Sequence, residues 1–424
     1  MKIAVIGSGI AGNVAAYRLS REHDVTVFEA NAWPGGHTNT IDVDENGRRI
    51  AVDTGFIVFN DQTYPNFIGL LDELGQPYRD SEMSFSVQSR RQGVEYCGST
   101  LNGIFADRLN LVRPGFHRMI RDILRFNRDA LDSLQFETTG QTVGGYLARH
   151  GYSAGFRDHY LVPMAAAIWS AEPGAINDMP LRFLVQFFEN HGLLKLKDRP
   201  QWKTIVGGSR EYVRRLTRPF ADRIRLETPV RSVRRFEDYV EVCTDDAGPE
   251  AFDFVFLACH SDQALRLLHD PTRAESDVLS AIRYQDNEAV LHTDEAAMPR
   301  RRRAWASWNY HLPESDRQHV TVTYNMNILQ GLDTERQYLV TLNNDAVIEP
   351  AKVLRRIQYQ HPVFSMGSVA AQTRQAELNV DRTFYCGAYW RHGFHEDGVV
   401  SALSALDHFE ERLAHGQLHL RRAG

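Results

Sequence analysis

Apolar positions at the start of the chain follow two different periods. Residues 3–6 read Ile-Ala-Val-Ile, a continuous apolar run that predicts a strand buried on both faces. Ala11, Val14, Ala15 and Leu19 recur at helical spacing, and residues 24–28 form a second strand pattern that ends at Glu29. The pattern therefore predicts a strand–turn–helix–strand unit whose turn is rich in glycine.

The predicted turn reads Gly-Ser-Gly-Ile-Ala-Gly from Gly7 to Gly12. In such a turn the first glycine permits the tight bend, the second lets the backbone approach a pyrophosphate, and the third lets the helix pack against the strand. The diphosphate would rest on free N–H groups at the helix N-terminus. Glu29 lies 20 residues after Gly9, where an acid accepts hydrogen bonds from the adenosine ribose. The unit predicts dinucleotide binding rather than a plain glycine turn.

The residues after Glu29 favour FAD over a nicotinamide nucleotide. A nicotinamide enzyme would continue into another helix and strand of the same sheet. This chain continues instead with a Gly-Gly-His loop at 35–37, a strand-like stretch at 40–43 and Asp-Thr-Gly at 53–55. A glycine pair directly behind the ribose acid lets backbone lie against a larger cofactor. The simpler alternative is a loop with turn glycines.

The rest of the chain continues to mix strand and helix patterns. Residues 224–242 alternate as a β-meander, and residues 252–258 form a buried-strand pattern that ends next to His260. Apolar residues at helical spacing over 116–131, with arginines between them, predict an amphipathic helix. Further strand patterns lie at 287–292, 320–324, 338–342 and 383–387. The pattern predicts an α/β fold, and we expect a structural role for His260.

Composition excludes several classes of protein. The 424 residues are 43% hydrophobic and 24% charged, which excludes a fibre, a collagen-like chain and a small disulfide scaffold. The net charge of −6 argues against a nucleic-acid binder. The longest near-apolar run, 160–171, is too short to span a bilayer, and the chain opens without a signal-peptide pattern. We expect a cytoplasmic protein with no metal site, since its four cysteines form no ligand spacing.

The glycine turn, Glu29, the Gly-Gly pair and the Asp-Thr-Gly motif resemble the flavin-containing amine oxidase and phytoene desaturase superfamily. More distal segments resemble one branch of it, the bacterial flavoproteins akin to the oxidase-like N-terminal part of plant cyclopropane fatty acid synthases. These segments are residues 53–60, 168–170, 190–194, 207–209, 291–294 and 360–364. The resemblance implies non-covalent FAD in a discontinuous Rossmann-like domain beside an α+β substrate domain of amine-oxidase type. The FAD domain would comprise 1–85, 200–275 and 380–424, and the substrate domain 86–199 and 276–379.

The motif and the resemblance together indicate which residues would contact the cofactor. In the superfamily a valine at the position of Val230 contacts the adenine through its backbone. An acid and a glycine at a helix N-terminus suit the ribityl chain and the reduced flavin, and either Glu396 or Asp397 fits this role. The predicted contacts are Gly7, Gly9, Ile10, Ala11, Gly12, Glu29, Gly35, Gly36, His37, Thr54, Gly55, Val230, Gly387, Glu396, Asp397 and Gly398.

The substrate domain departs from the amine-oxidase pattern. Many relatives carry a lysine on a substrate-domain strand, but this chain has no lysine between Lys203 and Lys352. The strand at 287–292 offers Asn287 or Glu288 instead. Phe394 fits one of the two aromatic rings that frame the flavin in relatives, and phenylalanine lacks the hydroxyl dipole of tyrosine. Further candidates for the proton-handling group are His292, Asp294, His361 and His395. These departures weaken the case for an amine substrate.

Three functions follow from these residues. The branch resemblance implies an FAD-dependent oxidoreductase that desaturates, reduces or isomerises a carbon–carbon bond of a lipid acyl chain. The superfamily resemblance implies, as an alternative, an amine oxidase that produces hydrogen peroxide. A third function is that of a non-catalytic flavin-holding subunit that stabilises a lipid-methylating partner. Residues that could line an acyl tunnel, or form ordinary core, are Trp169, Trp305, Trp308, Met326 and Leu329.

One charge run has a separate interpretation. Four consecutive arginines lie just before two tryptophans, in the order Arg300, Arg301, Arg302, Arg303, Trp305 and Trp308. Clustered positive charge is attracted to an anionic membrane surface, and tryptophan favours the interface. This run would hold the protein peripherally on the inner face of the membrane. A solvated arginine run beside core tryptophans is the simpler alternative.

Overall fold

A computed structural model describes residues 1–89, 92–135, 140–245, 248–312, 321–343 and 348–414. The strands are β1 (Lys2–Ile6), β2 (Asp24–Phe28), β3 (Thr40–Glu45), β4 (Arg48–Asp53), β5 (Val58–Asn60), β6 (Tyr78–Asp80), β7 (Phe85–Ser89), β8 (Val94–Cys97), β9 (Trp202–Ile205), β10 (Ile224–Arg225), β11 (Val230–Arg235), β12 (Val240–Thr244), β13 (Glu250–Phe252), β14 (Phe254–Leu257), β15 (Arg283–His292), β16 (Trp308–His311), β17 (Thr321–Asn325), β18 (Leu339–Leu342), β19 (Val353–Val363) and β20 (Thr383–Tyr385).

Within the described ranges, eight helices follow one another between β8 and β9, and the other helices are interspersed with the strands. The helices are α1 (Ile10–Leu19), α2 (Pro65–Glu73), α3 (Leu101–Ile104), α4 (Pro114–Asp129), α5 (Asp132–Gln135), α6 (Val143–Arg149), α7 (Ala154–Phe156), α8 (Val162–Trp169), α9 (Pro173–Asp178), α10 (Leu181–Asn190), α11 (Arg210–Thr217), α12 (Ser261–Leu267), α13 (Arg273–Ala281), α14 (Met326–Leu329), α15 (Met366–Gln372), α16 (Gln375–Leu378) and α17 (His395–Ala414). Among the described residues, no helix is both long and apolar enough to cross a bilayer.

A five-stranded parallel sheet contains the strand–turn–helix–strand unit predicted at the N-terminus. Its strand order is β10-β2-β1-β14-β20, so β1 lies at the centre between β2 and β14. The apolar run of β1 is buried on both faces, as a central parallel strand requires. Helix α1 packs against this sheet and against α17, which explains why most of its residues are buried. The predicted α/β class with a Rossmann-like sheet is confirmed.

A small antiparallel sheet of β11, β12 and β13 follows β10. The prediction of one β-meander over 224–242 was wrong at its start, because Ile224 and Arg225 pair in parallel with Val27 and Phe28 of β2. Glu227 separates the two parts with a φ of 50°, so the chain leaves the parallel sheet before the meander begins. The parallel sheet is therefore one strand wider than the sequence pattern indicates.

A seven-stranded sheet dominates the other half of the molecule, in the order β19-β15-β18-β17-β16-β7-β8. The strands predicted at 287–292, 320–324 and 338–342 are present as β15, β17 and β18, and β15 begins earlier, at Arg283. One face of this sheet shares a core with helices α4, α6, α8 and α10. The amphipathic helix predicted at 116–131 is α4. Its Phe116, Met119 and Phe126 are buried, whereas its exposed positions include Arg118 and Arg121.

The hydrophobic residues pack into three clusters. One lies around the seven-stranded sheet, and the other two lie on the two faces of the parallel sheet. Helices α13 and α15 contribute Val278, Leu279 and Ala371 to a cluster that also contains Ala4 of β1. The limits of the two domains given by the sequence stay a prediction.

Candidate functional site

The glycine turn between β1 and α1 has no room for a side chain at Gly7 or Gly12, but it has open space at Gly9. Gly7 has a φ of +102°, and a β-carbon at Gly12 would lie 1.9 Å from the carbonyl oxygen of Gly7. A β-carbon at Gly9, in contrast, would meet nothing within 4 Å. Gly9 is the N-cap residue of α1, followed by Ile10 and Ala11. The start of the helix is therefore accessible to a ligand, and the turn behind it is closed.

Glu29 is held at the carboxyl end of β2. Its Oε2 accepts hydrogen bonds from the Ser8 N–H at 2.9 Å and from the Ser8 hydroxyl at 2.6 Å. Its Oε1 accepts from the Asn31 N–H at 2.8 Å. The Thr228 N–H donates to the Glu29 carbonyl oxygen at 2.8 Å, which brings Val230 at the start of β11 close to this acid. The predicted ribose acid and the predicted adenine contact thus lie close together.

The two later glycine motifs pack against the first one. A β-carbon at Gly36 would lie 3.2 Å from the Gly9 Cα, and one at Gly55 would lie 2.1 Å from the His37 carbonyl oxygen. The Gly35 N–H donates to the Ser8 carbonyl oxygen at 2.9 Å, and the Thr54 N–H donates to the Asn39 carbonyl oxygen at 2.9 Å. A β-carbon does not fit at Gly55, and the φ of +60° at Gly36 favours glycine there. The three motifs, which are separated in sequence, form one continuous backbone surface.

Helix α17 begins at this surface. A β-carbon at Gly398 would lie 2.6 Å from the Ile10 side chain, so the first turns of α17 and α1 touch. The carboxylate of Glu396 accepts from the Asn66 and Phe67 N–H groups at 3.1 and 2.9 Å, and so it caps α2. Asp397 accepts from the Phe394 N–H at 2.9 Å and lies 3.9 Å from the Arg391 guanidinium. Burial raises the pKa of Asp397 to about 6.

These contacts separate the two acids that the sequence left open. Glu396 is occupied as a helix cap, whereas Asp397 has acceptor capacity to spare. Gly387, at the end of β20, donates its N–H to the Ser401 hydroxyl of α17 at 2.7 Å and therefore lies at the same helix. We therefore expect Asp397, rather than Glu396, to accept hydrogen bonds from the ribityl chain.

A buried aromatic cluster lies next to the glycine surface. The His37 ring stacks on Tyr359 with centroids 4.8 Å apart, and the His361 ring lies 5.2 Å from it. His37 Nε2 is buried and has no hydrogen-bond partner among the described residues. Burial lowers the pKa of His37 well below its ordinary value and that of His361 to about 4. Both rings are therefore neutral at pH 7.

Strand alternation divides the four residues predicted to act in catalysis. Gln285 and Asn287 of β15 pair with His361 and Tyr359 of β19, so all four side chains share one face of the sheet. Residues at the even positions of β15 lie on the other face. The structure thus brings Asn287 and His361 together and places Glu288 and His292 away from them.

Glu288 and His292 have structural partners on their own face. Glu288 forms an ion pair with Arg356 at 3.1 Å. His292 is fully buried and bonds the Thr341 hydroxyl at 2.8 Å, and burial lowers its pKa to about 4. Asp294 accepts from Lys352 Nζ at 3.1 Å. The roles predicted for these three residues in catalysis stay predictions, with nothing in their surroundings that favours them.

A chain of hydrogen bonds fixes the tautomer of His361. The Glu288 N–H donates to Asn343 Oδ1 at 2.9 Å, so the Asn343 amide nitrogen must point the other way. That nitrogen donates to Asn287 Oδ1 at 2.7 Å, and Asn287 Nδ2 therefore faces His361 Nδ1 at 2.9 Å. Because Nδ1 accepts this hydrogen bond, the ring hydrogen lies on Nε2. His361 is thus a neutral donor rather than a base.

Asn343 is the residue of this group that sequence reasoning missed. It follows β18 with a φ of 55°, a conformation that asparagine tolerates better than most residues. No short motif surrounds it. Its role depends on the pairing of β18 with β15, which brings together residues that are 56 positions apart.

His395, a further candidate for the proton-handling group, lies in a buried cluster with Phe56, Thr38 and Tyr212. Its ring stacks on Phe56 with centroids 3.5 Å apart, and its Nε2 lies 3.0 Å from the Thr38 hydroxyl and 2.9 Å from the Tyr212 hydroxyl. Burial lowers its pKa to about 3. These contacts anchor the first turn of α17 to the loop that follows His37.

An apolar wall, named the aromatic wall below, continues from His361. It consists of Trp169, Phe183, Phe187, His191, Phe364, His392 and Phe394, with neighbouring ring centroids 3.8–5.0 Å apart. Gln285, opposite His361, donates to the Ser170 carbonyl oxygen at 2.7 Å and so joins β15 to the wall. Burial lowers the pKa of both wall histidines to about 4. No member of the wall is therefore charged at pH 7.

The other apolar residues proposed for a tunnel lie elsewhere in the core. Met326 and Leu329 are fully buried in the cluster around the seven-stranded sheet. Trp305 is half-buried and donates to the Pro299 carbonyl oxygen at 2.7 Å. Trp308 packs edge-on against Tyr324 with centroids 5.1 Å apart. Lys203 pairs with Asp80 of β6 at 2.9 Å, and Lys352 pairs with Asp294 at 3.1 Å.

The glycine surface, the acids and the aromatic cluster together fit an extended dinucleotide cofactor. The open backbone at Gly9 suits a pyrophosphate at the N-terminus of α1, and Glu29 lies where a ribose would bind. The unpartnered Nε2 of His37 indicates a polar group that side chains of the described residues do not supply. Asp397 would hold the ribityl chain, and Asn287 and His361 would face the ring system. The residues present thus fit FAD, and the individual contacts stay predictions.

Comparisons with known proteins agree with this assignment. The family model described as flavin-containing amine oxidoreductase matches residues 10–297. A search of curated protein sequences found no match. The solved structures with similar folds include cyclohexylamine oxidase from Brevibacterium oxydans IH-35A (TM-score 0.70, 16% identity, 97% of this chain and 99% of that one). They also include a putative protoporphyrinogen oxidase from Exiguobacterium sp. 255-15 (TM-score 0.70, 17% identity, 97% and 99%).

A third structure with this fold is the fatty acid isomerase from P. acnes that produces CLA (TM-score 0.67, 15% identity, 96% of this chain and 98% of that one). At such identities the structures establish the fold, and the family model establishes the family. The match at 10–297 covers more than half of the 424 residues and includes the glycine turn from Ile10 and Glu29. The chain therefore belongs to the flavin-containing amine oxidoreductase family and is an FAD-dependent oxidoreductase.

Proposed function

We propose that this oxidoreductase acts on a carbon–carbon bond of a lipid acyl chain. The observation that carries the proposal is the aromatic wall, which extends from His361 and has no charged member at pH 7. Such a surface stabilises methylene groups, at about 0.8 kcal/mol for each CH₂ removed from water. The side chains of the wall offer an alkylammonium ion no counter-charge, and neither His361 nor Asn287 supplies one. The Asp397 carboxylate, which accepts the Phe394 N–H, is the acid expected to hold the ribityl chain.

The aromatic wall and His361 have separate roles in the proposed reaction. The aromatic wall binds the acyl chain and excludes water from the reacting bond. His361 presents its Nε2–H, which Asn287 and Asn343 hold in place, and so orients an acceptor atom without carrying charge. FAD, when bound, accepts or returns a hydride at carbon. Desaturation, reduction and isomerisation all use this arrangement, and the P. acnes fatty acid isomerase has the same fold.

The first test is an anaerobic absorbance spectrum of the FAD-loaded protein with phospholipids that carry unsaturated or cyclopropane chains. We expect the oxidised flavin band to fall with lipid, or the lipid product to change in position of unsaturation without net loss of the band. Gas chromatography of the acyl chains detects the second outcome. Dithionite-reduced protein mixed with the same lipids tests for reduction, which would restore the oxidised band.

Substitution of the wall supplies the control. Phe183→Asp places a carboxylate in the aromatic wall and should abolish lipid turnover, whereas Phe183→Leu should retain most of it. Anaerobic bleaching of the flavin by amines, followed by return of the oxidised band and formation of hydrogen peroxide when O₂ is admitted, in place of lipid turnover, would contradict the proposal. Unchanged lipids in all three assays, with co-purification of a lipid-methylating enzyme, would instead favour the accessory-subunit function.

A further inference from the structure

An exposed apolar ridge lies on the substrate-domain side of the molecule, within one short segment of the chain. We use the name for four side chains that lie on and between α3 and α4. Their exposed fractions are 77% for Leu101, 58% for Leu109, 51% for Leu111 and 76% for Val112. Scattered single exposed leucines are ordinary on protein surfaces, but four within twelve residues indicate a contact surface.

Arginines surround this ridge. Six lie between 101 and 128 and four more lie at 300–303, whereas Asp107 and Asp122 are the only acids within these two stretches and both are buried. Within the part of the chain that the structure describes, five of the ten arginines have no carboxylate partner. These five are Arg108, Arg118, Arg121, Arg300 and Arg303.

The two arginine groups belong to one surface. Asp107 accepts from Arg113, at the start of α4, and from Arg301, each at 3.3 Å. His117 Nε2 lies 2.9 Å from the Leu111 carbonyl oxygen, which ties α4 to the apolar ridge. Arg121 is one helical turn beyond His117 and therefore lies on the same side of α4. The ridge is thus apolar at its centre and positively charged around it.

We propose that the apolar ridge and its arginines dock this protein on an anionic lipid bilayer. The aliphatic side chains would enter the interface while the arginines contact phosphate groups, and each arginine adds about 1 kcal/mol of attraction near such a surface. This proposal does not depend on the proposed function, since a protein can bind a membrane whatever its substrate.

Two other occupants fit the same surface less well. Nucleic acid would use the arginines, but Leu101, Leu109, Leu111 and Val112 provide no aromatic ring on which a base stacks. A second copy of this chain would bring ten arginines against ten, which like-charge repulsion opposes. From the sequence, the predicted apolar membrane contact is Trp305 and Trp308, but both side chains are half-buried and packed against their neighbours. The exposed apolar contact is therefore the ridge instead.

The test is co-sedimentation of the FAD-loaded protein with vesicles of saturated lipids, which offer no double bond for turnover. Vesicles of phosphatidylcholine alone are compared with vesicles that also contain phosphatidylglycerol, at low and at physiological salt. We expect binding to the anionic vesicles that weakens as salt rises. Arg118→Gln/Arg121→Gln should lower the partition coefficient about 30-fold, which corresponds to about 1 kcal/mol for each arginine.

The apolar contribution is tested separately. Leu109→Gln/Val112→Gln should lower binding at least about tenfold, because these side chains would leave the interface. The control, Arg214→Gln/Arg273→Gln, removes two exposed arginines elsewhere and should bind as the wild type does. The melting temperature and flavin content of each variant establish that it is folded.

Three outcomes would overturn the proposal. The first is absence of vesicle binding by the folded wild type. The second is equal loss of binding in the control, which would indicate a general effect of net charge. The third is tighter binding to single-stranded RNA than to anionic vesicles, which would assign the surface to nucleic acid. Each leaves the proposed function open to its own test, because turnover is measured by the flavin spectrum and the acyl-chain products rather than by vesicle binding.

Discussion

Replacing Asn287 by aspartate is expected to reverse the tautomer of His361 and to raise its pKa. In the wild type, Asn287 Nδ2 donates to His361 Nδ1 at 2.9 Å, and burial holds the pKa of His361 at about 4. An aspartate has only acceptors to offer at this position. The ring must then place its hydrogen on Nδ1, and the carboxylate stabilises the protonated ring.

The size of the change follows from the distance. Two unit charges about 4 Å apart attract by about 4 kcal/mol at the effective dielectric constant of 20 that suits protein sites, which corresponds to about 3 pKa units. The new carboxylate is itself buried, and the cost of removing it from water offsets part of this attraction. We therefore expect the pKa of His361 to rise by about 2 units, to about 6.

The assay is nitrogen NMR of protein labelled at histidine, followed from pH 4 to pH 8 with about half-unit steps, a range that spans the ordinary histidine pKa. His361→Gln identifies the signal. Glu288→Gln is the matched control, since it lies next to Asn287 in sequence but on the opposite face of β15. It should leave the titration unchanged. A His361 in Asn287→Asp that keeps its hydrogen on Nε2 and a pKa near 4 would refute the reasoning about the hydrogen-bond chain.

Three further predictions test the cofactor surface and the buried histidines. Glu396→Gln should lower the free energy of unfolding by about 1–2 kcal/mol, because the cap of α2 is weakened, and the variant should still bind FAD. Asp397→Asn should instead lower the affinity for FAD about 10- to 100-fold. A titration that measures flavin release distinguishes the two variants. Gly12→Ala should purify without flavin because of its clash with the Gly7 carbonyl, whereas Gly9→Ala should fold normally with weakened flavin binding. The unfolding free energy should fall by about 1.4 kcal/mol per pH unit for each buried histidine as pH decreases from about 6.5 to about 4. The reason is that the histidines of the unfolded chain bind protons in this range, whereas the buried rings of the folded protein stay neutral. Urea titrations at each pH measure this dependence, and an unfolding free energy that does not change with pH would contradict it.

The parts of the fold that could be predicted from sequence are those in which local pattern and tertiary role coincide. The unit from β1 to Glu29 is one, since a glycine turn between a buried strand and a helix has few other structures. Strand β10 could not be separated from the meander, because two residues are too few to show a period. The difference appears only when Ile224 pairs with Val27 of a strand far away in sequence.

The candidate catalytic site was predictable only in part. Alternation along β15 separates Asn287 from Glu288 in principle, but which face meets the cofactor depends on the register with β19. His361 and Asn287 are 74 positions apart, and no short motif connects them. Asn343 could not be found at all from the sequence, because its role depends on a positive φ and on a backbone N–H of another strand.

The charge state of the site separates the two main substrate classes by a calculable amount. An alkylamine has a pKa near that of lysine, about 10.4, so entering the neutral aromatic wall without its proton costs about 4–5 kcal/mol at pH 7. A carboxylate in the wall would remove this cost, and the wall instead contains two histidines whose pKa values lie near 4. An acyl chain meets no such cost and gains about 0.8 kcal/mol for each methylene buried. Six methylenes gain about 5 kcal/mol in either class of substrate. The cost of removing the ammonium proton therefore remains as the difference between the two classes, about 4–5 kcal/mol against the alkylamine.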